Sequence, residues 1–228
     1  DTAEYYKTKG SGQVVSLALD KYIYVVVKRH ADIFNEKYRI SYQKNEIHKN
    51  LNEVENNIIR ECISFSEIKA PLYISTFSDI PAASGLGSSS ALAVGLLNAL
   101  HAFKNEPCTK YQLAVEACHI EIDKLKKPIG KQDQFASAFG GLNSFTFNDD
   151  ESVSHFGLNA SSKYLMKIFE CSSLFWTGLT REVDTILDDQ KKNFSSGKTS
   201  DVSQVVDMVP ELIEHIDSHA SPQTLGAA

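Results

Sequence analysis

The sequence predicts an α+β fold, and three observations carry that prediction. Some stretches are rich in Val, Tyr and Ile or alternate apolar and polar residues, as strands do. Others repeat apolar residues every three or four positions, as amphipathic helices do. The two kinds follow one another without strict alternation, which argues against a doubly wound parallel sheet. The chain has 228 residues, 42% of them apolar and 23% charged. Those fractions are globular and exclude a disordered, collagen-like or mucin-like chain.

Taken in order, residues 14–29 read as two strands joined near Asp20 and Lys21, or as one long bent strand. Residues 37–43 (KYRISYQ) alternate with period two and form a half-buried strand. Ile58, Ile59, Cys62 and Ile63 recur at helical spacing, so residues 56–65 form a helix. Residues 72–77 are a short strand that ends before Asp79-Ile80-Pro81. A small-residue run, PAASGLGSSS, then leads directly into ALAVGLLNALHAF, which is apolar enough for a buried helix. Thr109 with Gln112 three residues later is a capping-box pattern, opening a helix that runs to about Lys126 and stops at Pro128. Residues 133–139 form a short helix broken by Gly140 and Gly141, followed by a strand over 142–147. Residues 163–176 are expected to be one or two strands, 181–193 a helix, 195–197 a turn and 202–216 a last helix. The tail SPQTLGAA has no amphipathic pattern and is expected to fray.

The net charge of −6 argues against nucleic acid or an anionic membrane as the main partner, since both select concentrated Lys and Arg. An anionic small molecule needs only a local positive site. No apolar stretch approaches the roughly 20 residues needed to span a bilayer. The four cysteines, Cys62, Cys108, Cys118 and Cys171, show no paired spacing and read as ordinary thiols of a reduced, cytoplasmic protein. His30, His119 and His155 are scattered without metal-ligand or triad spacing. Trp176 and the Phe-rich residues 135–147 read as core.

The loop at residues 81–90 is the first candidate site. Small residues running into a helix place unpaired N–H groups and the positive helix end at one point. Gly85 and Gly87 let the backbone approach an anion closely, and Ser88, Ser89 and Ser90 add hydroxyls for phosphate or Mg²⁺. Three familiar motifs fail here. Walker A needs a Lys, and none lies between Lys69 and Lys104. The dinucleotide fingerprint needs a third glycine where Ser90 stands. The nucleophile elbow needs a glycine where Ala91 stands.

The segment PAASGLGSSSA (81–91) instead resembles the second signature motif of the GHMP kinases. HIEIDKLKKPIGKQDQFASAFGGLNSF (119–145) and FWTGLTREVDTILDDQKKN (175–193) resemble the sugar-kinase branch that includes D-glycero-D-manno-heptose 7-phosphate kinase. The resemblance implies a GHMP-kinase-like N-terminal domain of the ribosomal protein S5 domain 2-like type over residues 1–160. Residues 161–228 are then the start of an incomplete ferredoxin-like C-terminal domain. The family's first motif is missing except for Asp1, the last residue of its turn, and the third motif is missing too. The chain therefore reads as the central part of a longer kinase.

Phosphoryl transfer from ATP requires a triphosphate cradle, a divalent cation and a group that takes or orients the hydroxyl proton. The cradle would comprise Pro81, Ala83, Ser84, Gly85, Leu86, Gly87, Ser88, Ser89 and Ser90. Beyond it, Glu121 and Asp133 are the best-placed carboxylates, since the break at residues 128–130 can fold the second segment back on the first. By resemblance, Glu121 and Ser89 match Mg²⁺ ligands and Asp133 the catalytic base. Lys131 is a candidate to stabilise the transferring phosphate or to lower the pKa of Asp133. Arg181 is a candidate clamp for the sugar's own phosphate, because guanidinium grips phosphate bidentately. Asp1, Gly130 and Gln132 complete the expected substrate side. The resemblance implies an ATP- and Mg²⁺-dependent kinase acting on a sugar or sugar phosphate, yielding a 1,7-bisphosphate for nucleotide-activated heptose. Two alternatives are a binding module that kept the fold without turnover and a serine hydrolase using Ser89. The first leaves a retained base unexplained; the second lacks the elbow and a His–acid pair.

Overall fold

The computed structural model describes residues 3–81, 84–173, 175 and 200–226. Their elements, in order, are α1 (Ala3–Lys9), β1 (Ser11–Leu17), β2 (Ile23–Arg29), β3 (Tyr38–Ser41), β4 (Asn45–His48), α2 (Asn57–Phe65) and β5 (Leu72–Ser78). There follow α3 (Ser88–Lys104), α4 (Lys110–Cys118), α5 (Gln132–Phe139), β6 (Leu142–Asn148), β7 (Val153–Gly157), α6 (Ser162–Glu170), α7 (Ser200–Asp217) and α8 (Pro222–Leu225). A 3₁₀ turn lies at Leu51–Glu53, and a π-helical turn, His119–Lys124, prolongs α4. The α+β expectation is met.

Asp20–Phe139 is one compact unit. Its sheet has the order β2-β5-β3-β4, antiparallel except for the parallel β3–β5 pair. Val25 and Val27 of β2 turn inward against a core of Ile40, Ile59, Leu72, Ile74, Leu96, Leu97 and Leu100, as the two-residue period requires. Helix α3 supplies the last three, so its apolar run is the buried helix the sequence predicts. Asn56 caps α2 by accepting from the Ile59 N–H. Thr109 caps α4 by accepting from the Gln112 N–H, but the Gln112 side chain donates to Glu116 instead of closing a reciprocal box. The buried Glu46 carboxylate ties the β3–β4 hairpin to the start of α2. It accepts from Tyr42 Oη at 2.7 Å, from the Glu55 N–H at 2.6 Å and from the Asn56 N–H at 3.2 Å, and pairs with His48 Nε2 at 2.9 Å.

Asp1–Leu19 and Gly140–Ala228 form the second unit. Residues 14–29 thus resolve into two strands in different sheets: β1 pairs antiparallel with β6, from Ser11 opposite Asn148 to Leu17 opposite Leu142, and β7 follows on the other edge of β6. The strands expected over 163–176 are corrected: 162–170 is helix α6. Ser161 caps it at the Tyr164 N–H, and Tyr164 and Ile168, four residues apart, pack with Leu158 and Ile216. Period and cap overrode the strand-like composition. The tail is corrected as well, since Ser221 caps α8 and Leu225 joins the same cluster. Helix α7 fulfils the expected last helix. Helix α1 and strands β4 and β7 were not among the expected elements. The expected helix 181–193, the turn 195–197 and Trp176 lie outside the described residues.

Candidate functional site

The small-residue loop turns sharply before α3. Gly85 and Gly87 both have positive φ, +77° and +71°. These are conformations that L side chains adopt only with strain. Gly87 is the residue that caps α3, yet it offers no side-chain acceptor, so first-turn N–H groups of the helix remain open to a ligand. A Cβ added at Gly87 would meet the Asp133 carboxyl carbon at 3.4 Å. The loop backbone at Gly87 therefore lies close beside the Asp133 side chain.

Beneath the loop sits Glu121, whose side chain is wholly buried in the π-turn. Ser89 Oγ donates to its Oε1. Ser90 Oγ and Gln134 Nε2 each donate to its Oε2 at 2.7 Å. Lys127 Nζ lies 2.9 Å from Oε1 and donates to Ser89 Oγ at 2.5 Å. Burial pushes the Glu121 carboxyl up, but the Lys127 charge and the donors from Ser89, Ser90 and Lys127 outweigh it, holding the pKa below the ordinary carboxylate range. Glu121 is thus an ionised carboxylate beneath the glycine loop.

Asp133, in the first turn of α5, behaves oppositely. Its side chain reaches solvent, yet the protein crowding its other sides strips enough hydration to raise the pKa, and the Glu121 charge adds to the rise. The two carboxylates that the sequence singled out are therefore brought together. Lys131 precedes α5, its carbonyl accepting from the Phe135 N–H, and its charge acts on the Cys118 thiol. Burial pushes that thiol up to about 12. Gly130 and Gln132 flank Lys131 and are half-buried, while Pro81 and Leu86 are exposed. Ala83, Asp1 and Arg181 lie outside the described residues.

Lys127 and Gln134 were not picked out from the sequence. Gln134 is fully buried, and its Oε1 is without a hydrogen-bond partner among the described residues. Ser84 Oγ has the same status at the loop. The signal for Gln134 was its place in the Gln-Asp-Gln triplet beside Asp133. For Lys127 the sequence showed only a surface-like Lys-Lys-Pro.

The donor set, one carboxylate and neighbouring hydroxyls, is hard oxygen chemistry that suits Mg²⁺, and a cation, the Lys127 ammonium, already sits there. Among the described residues no group of three or more His, Cys, Asp and Glu could hold a metal by itself. No described helix is long and apolar enough to cross a membrane.

Residues 56–141 match the family profile for the GHMP kinases N terminal domain. The chain carries a GHMP kinase N-terminal domain. This domain holds the glycine loop, Glu121 and Asp133. The chain is 27% identical, over 88% of its length, to D-glycero-alpha-D-manno-heptose 7-phosphate kinase from Campylobacter jejuni. It is 33% identical, over 60% of its length, to homoserine kinase from Staphylococcus haemolyticus. It spans 62% and 43% of the lengths of these two curated relatives. Among solved structures, a D-glycero-D-manno-heptose 1-phosphate kinase from Bacteroides thetaiotaomicron superposes on 90% of the chain, which covers 71% of that structure. The TM-score is 0.66 at 21% identity. A Lactococcus lactis galactokinase shares the fold with a TM-score of 0.54 at 14% identity, over 89% of this chain and 69% of that one.

Proposed function

We propose that this chain is the ATP-binding part of a carbohydrate kinase. It transfers the γ-phosphate of ATP to a sugar or sugar phosphate, with the anomeric hydroxyl of D-glycero-D-manno-heptose 7-phosphate as acceptor. Residues 1–160 serve as the nucleotide-binding domain and 161–228 begin a C-terminal domain. The observation that carries the reading is the ionised Glu121 beneath the glycine loop, with Asp133 set against Gly87. The likeness to the heptose 7-phosphate kinase directs the choice of sugar.

The N–H groups of the loop and of the first turn of α3 receive triphosphate oxygens. Ser89 and Glu121 would hold Mg²⁺, which supplies charge neutralisation at the β- and γ-phosphates when bound. Asp133 takes the proton of the acceptor hydroxyl as its oxygen bonds to the γ-phosphorus and the bond to ADP breaks. A carboxylate with a raised pKa is the better base for this. Lys131 stabilises charge on the transferring group. Arg181 grips the acceptor's phosphate, while Asp1, Gly130 and Gln132 bind its hydroxyls.

The test is ADP release with Mg²⁺-ATP and the heptose 7-phosphate, run beside galactose, homoserine and mevalonate. Sugar-dependent release should fall by about 10²–10⁴ in Asp133→Asn while ATP binding persists. Release in Asp133→Asn equal to the parent chain's would remove the base assignment. ATP binding without any release would point to the binding module.

A further inference from the structure

The seat between Ser89 and Glu121 already holds a positive charge that belongs to the chain. Lys127 Nζ bonds to Ser89 Oγ at 2.5 Å and to Glu121 Oε1 at 2.9 Å, and its side chain is only 18% exposed. In an unbroken α-helix a residue six positions on points roughly 240° away around the axis, so the pair could not meet there. Here the chain reverses after the π-turn. Lys126 takes φ +54°, and the Lys127 N–H returns to the Glu121 carbonyl at 3.0 Å. That reversal carries the Lys127 side chain back over the Glu121 carboxylate.

We infer that Lys127 is a tethered cation that competes with the divalent cation for Ser89 and Glu121. This rests on the reading of those two residues as its ligands. A divalent ion held by Ser89 and Glu121 would need the same oxygen lone pairs that now accept from the Lys127 ammonium. The ammonium has no lone pair, so it cannot become a ligand itself, and two like charges that close repel strongly. Metal entry therefore requires Lys127 to leave. While the metal is absent the ammonium occupies the seat between the two oxygens. The lysine sets how much divalent ion the site demands.

The experiment is Mn²⁺ binding, followed by electron paramagnetic resonance and by calorimetry on the nucleotide-free chain. It compares the parent chain with Lys127→Met, Lys127→Gln, Lys127→Arg and Glu121→Gln. Removing the tethered charge should tighten Mn²⁺ binding by about tenfold or more, while Lys127→Arg stays near the parent value. Lys127→Met should also melt at a lower temperature without metal and gain more than the parent on adding Mn²⁺. A merely structural lysine would shift the melting temperature without tightening metal binding. Lys127→Gln keeps a donor for Ser89 and gives the same sign of change if Lys127→Met does not fold. Unchanged or weaker Mn²⁺ binding in both Lys127→Met and Lys127→Gln, with binding still lost in Glu121→Gln, overturns the competition alone. Mn²⁺ binding that survives Glu121→Gln overturns the ligand assignment, and the competition with it.

Discussion

Glu121 and Asp133 are both carboxylates of one site, and their surroundings push them in opposite directions. Glu121 has lost its hydration but gained Lys127 and three neutral donors, so its charged form wins. Asp133 loses part of its hydration without a comparable set of donors among the described residues, and the Glu121 charge raises it further. Pairs whose environments separate their pKa values are how one site assigns a permanent charge and a proton acceptor. The acid limb of the kcat profile should therefore lie above the ordinary Asp value of about 3.9, and Asp133→Asn should abolish that limb. A limb at or below that value, in steady-state rates from pH 4 to 8, would contradict it. The serines divide in the same way. Ser90→Ala removes a buried donor to a charged oxygen and should destabilise by about 1.5–3 kcal/mol in urea unfolding. Ser88→Ala, with no bond to Glu121 in the structure, should change stability by less than about 0.5 kcal/mol without nucleotide.

At the scale of elements, the site is made where α3 begins and where α4 gives way to its π-turn. Gly87 holds the first junction. Gly87→Ala would place a side chain at φ +71°, so it should cost about 1–2 kcal/mol in backbone strain and, by disturbing the turn, weaken ATP binding too. Wild-type stability and affinity in that variant, by denaturant unfolding and nucleotide titration, would mean that the loop does not depend on this conformation. Much of this junction was legible in the sequence. Two glycines and three serines ahead of an apolar run already imply open N–H groups, and the Pro-Ile-Gly break already allows Asp133 to fold back towards Glu121. The second junction was not legible. A π-turn replaces i→i+4 bonds with longer ones, such as the Leu125 N–H to the Ile120 carbonyl, and leaves no compositional trace. Without it nothing in the spacing of Glu121 and Lys127 connects that lysine to the carboxylate the sequence singles out. Helix α6 was hidden for a different reason: Tyr, Ile and Phe favour strands locally, and only packing of Tyr164 and Ile168 on Leu158 decides for a helix.

At the scale of the molecule, the unit Asp20–Phe139 is built around two buried carboxylates, Glu46 and Glu121. Burial raises both, yet their donors overcome it and leave both pKa values lowered. A carboxyl whose folded pKa lies below its unfolded one stabilises the fold above the unfolded value, about 4.3. That contribution is lost as pH falls through the folded pKa. Asp133 acts with the opposite sign. Its folded pKa is raised, so its ionised form opposes folding at neutral pH, and the penalty is relieved as acid protonates it. Two melting curves should therefore move apart at pH 7. Glu121→Gln strands the half-buried Lys127 charge and should destabilise by about 3–5 kcal/mol. Asp133→Asn should instead melt about 1–3 °C higher than the parent. As pH falls, the Asp133→Asn difference should shrink first, through the raised folded pKa of Asp133, and the Glu121→Gln difference should be lost only on further acidification, through the lowered folded pKa of Glu121. An Asp133→Asn variant that melts lower than the parent at pH 7 would mean that its helix-terminal placement in α5 favours the charge more than Glu121 and lost hydration oppose it. The expected order, in which the proposed base is bought at the expense of stability and the buried glutamate adds to it, is what a site selected for proton transfer rather than for folding should give.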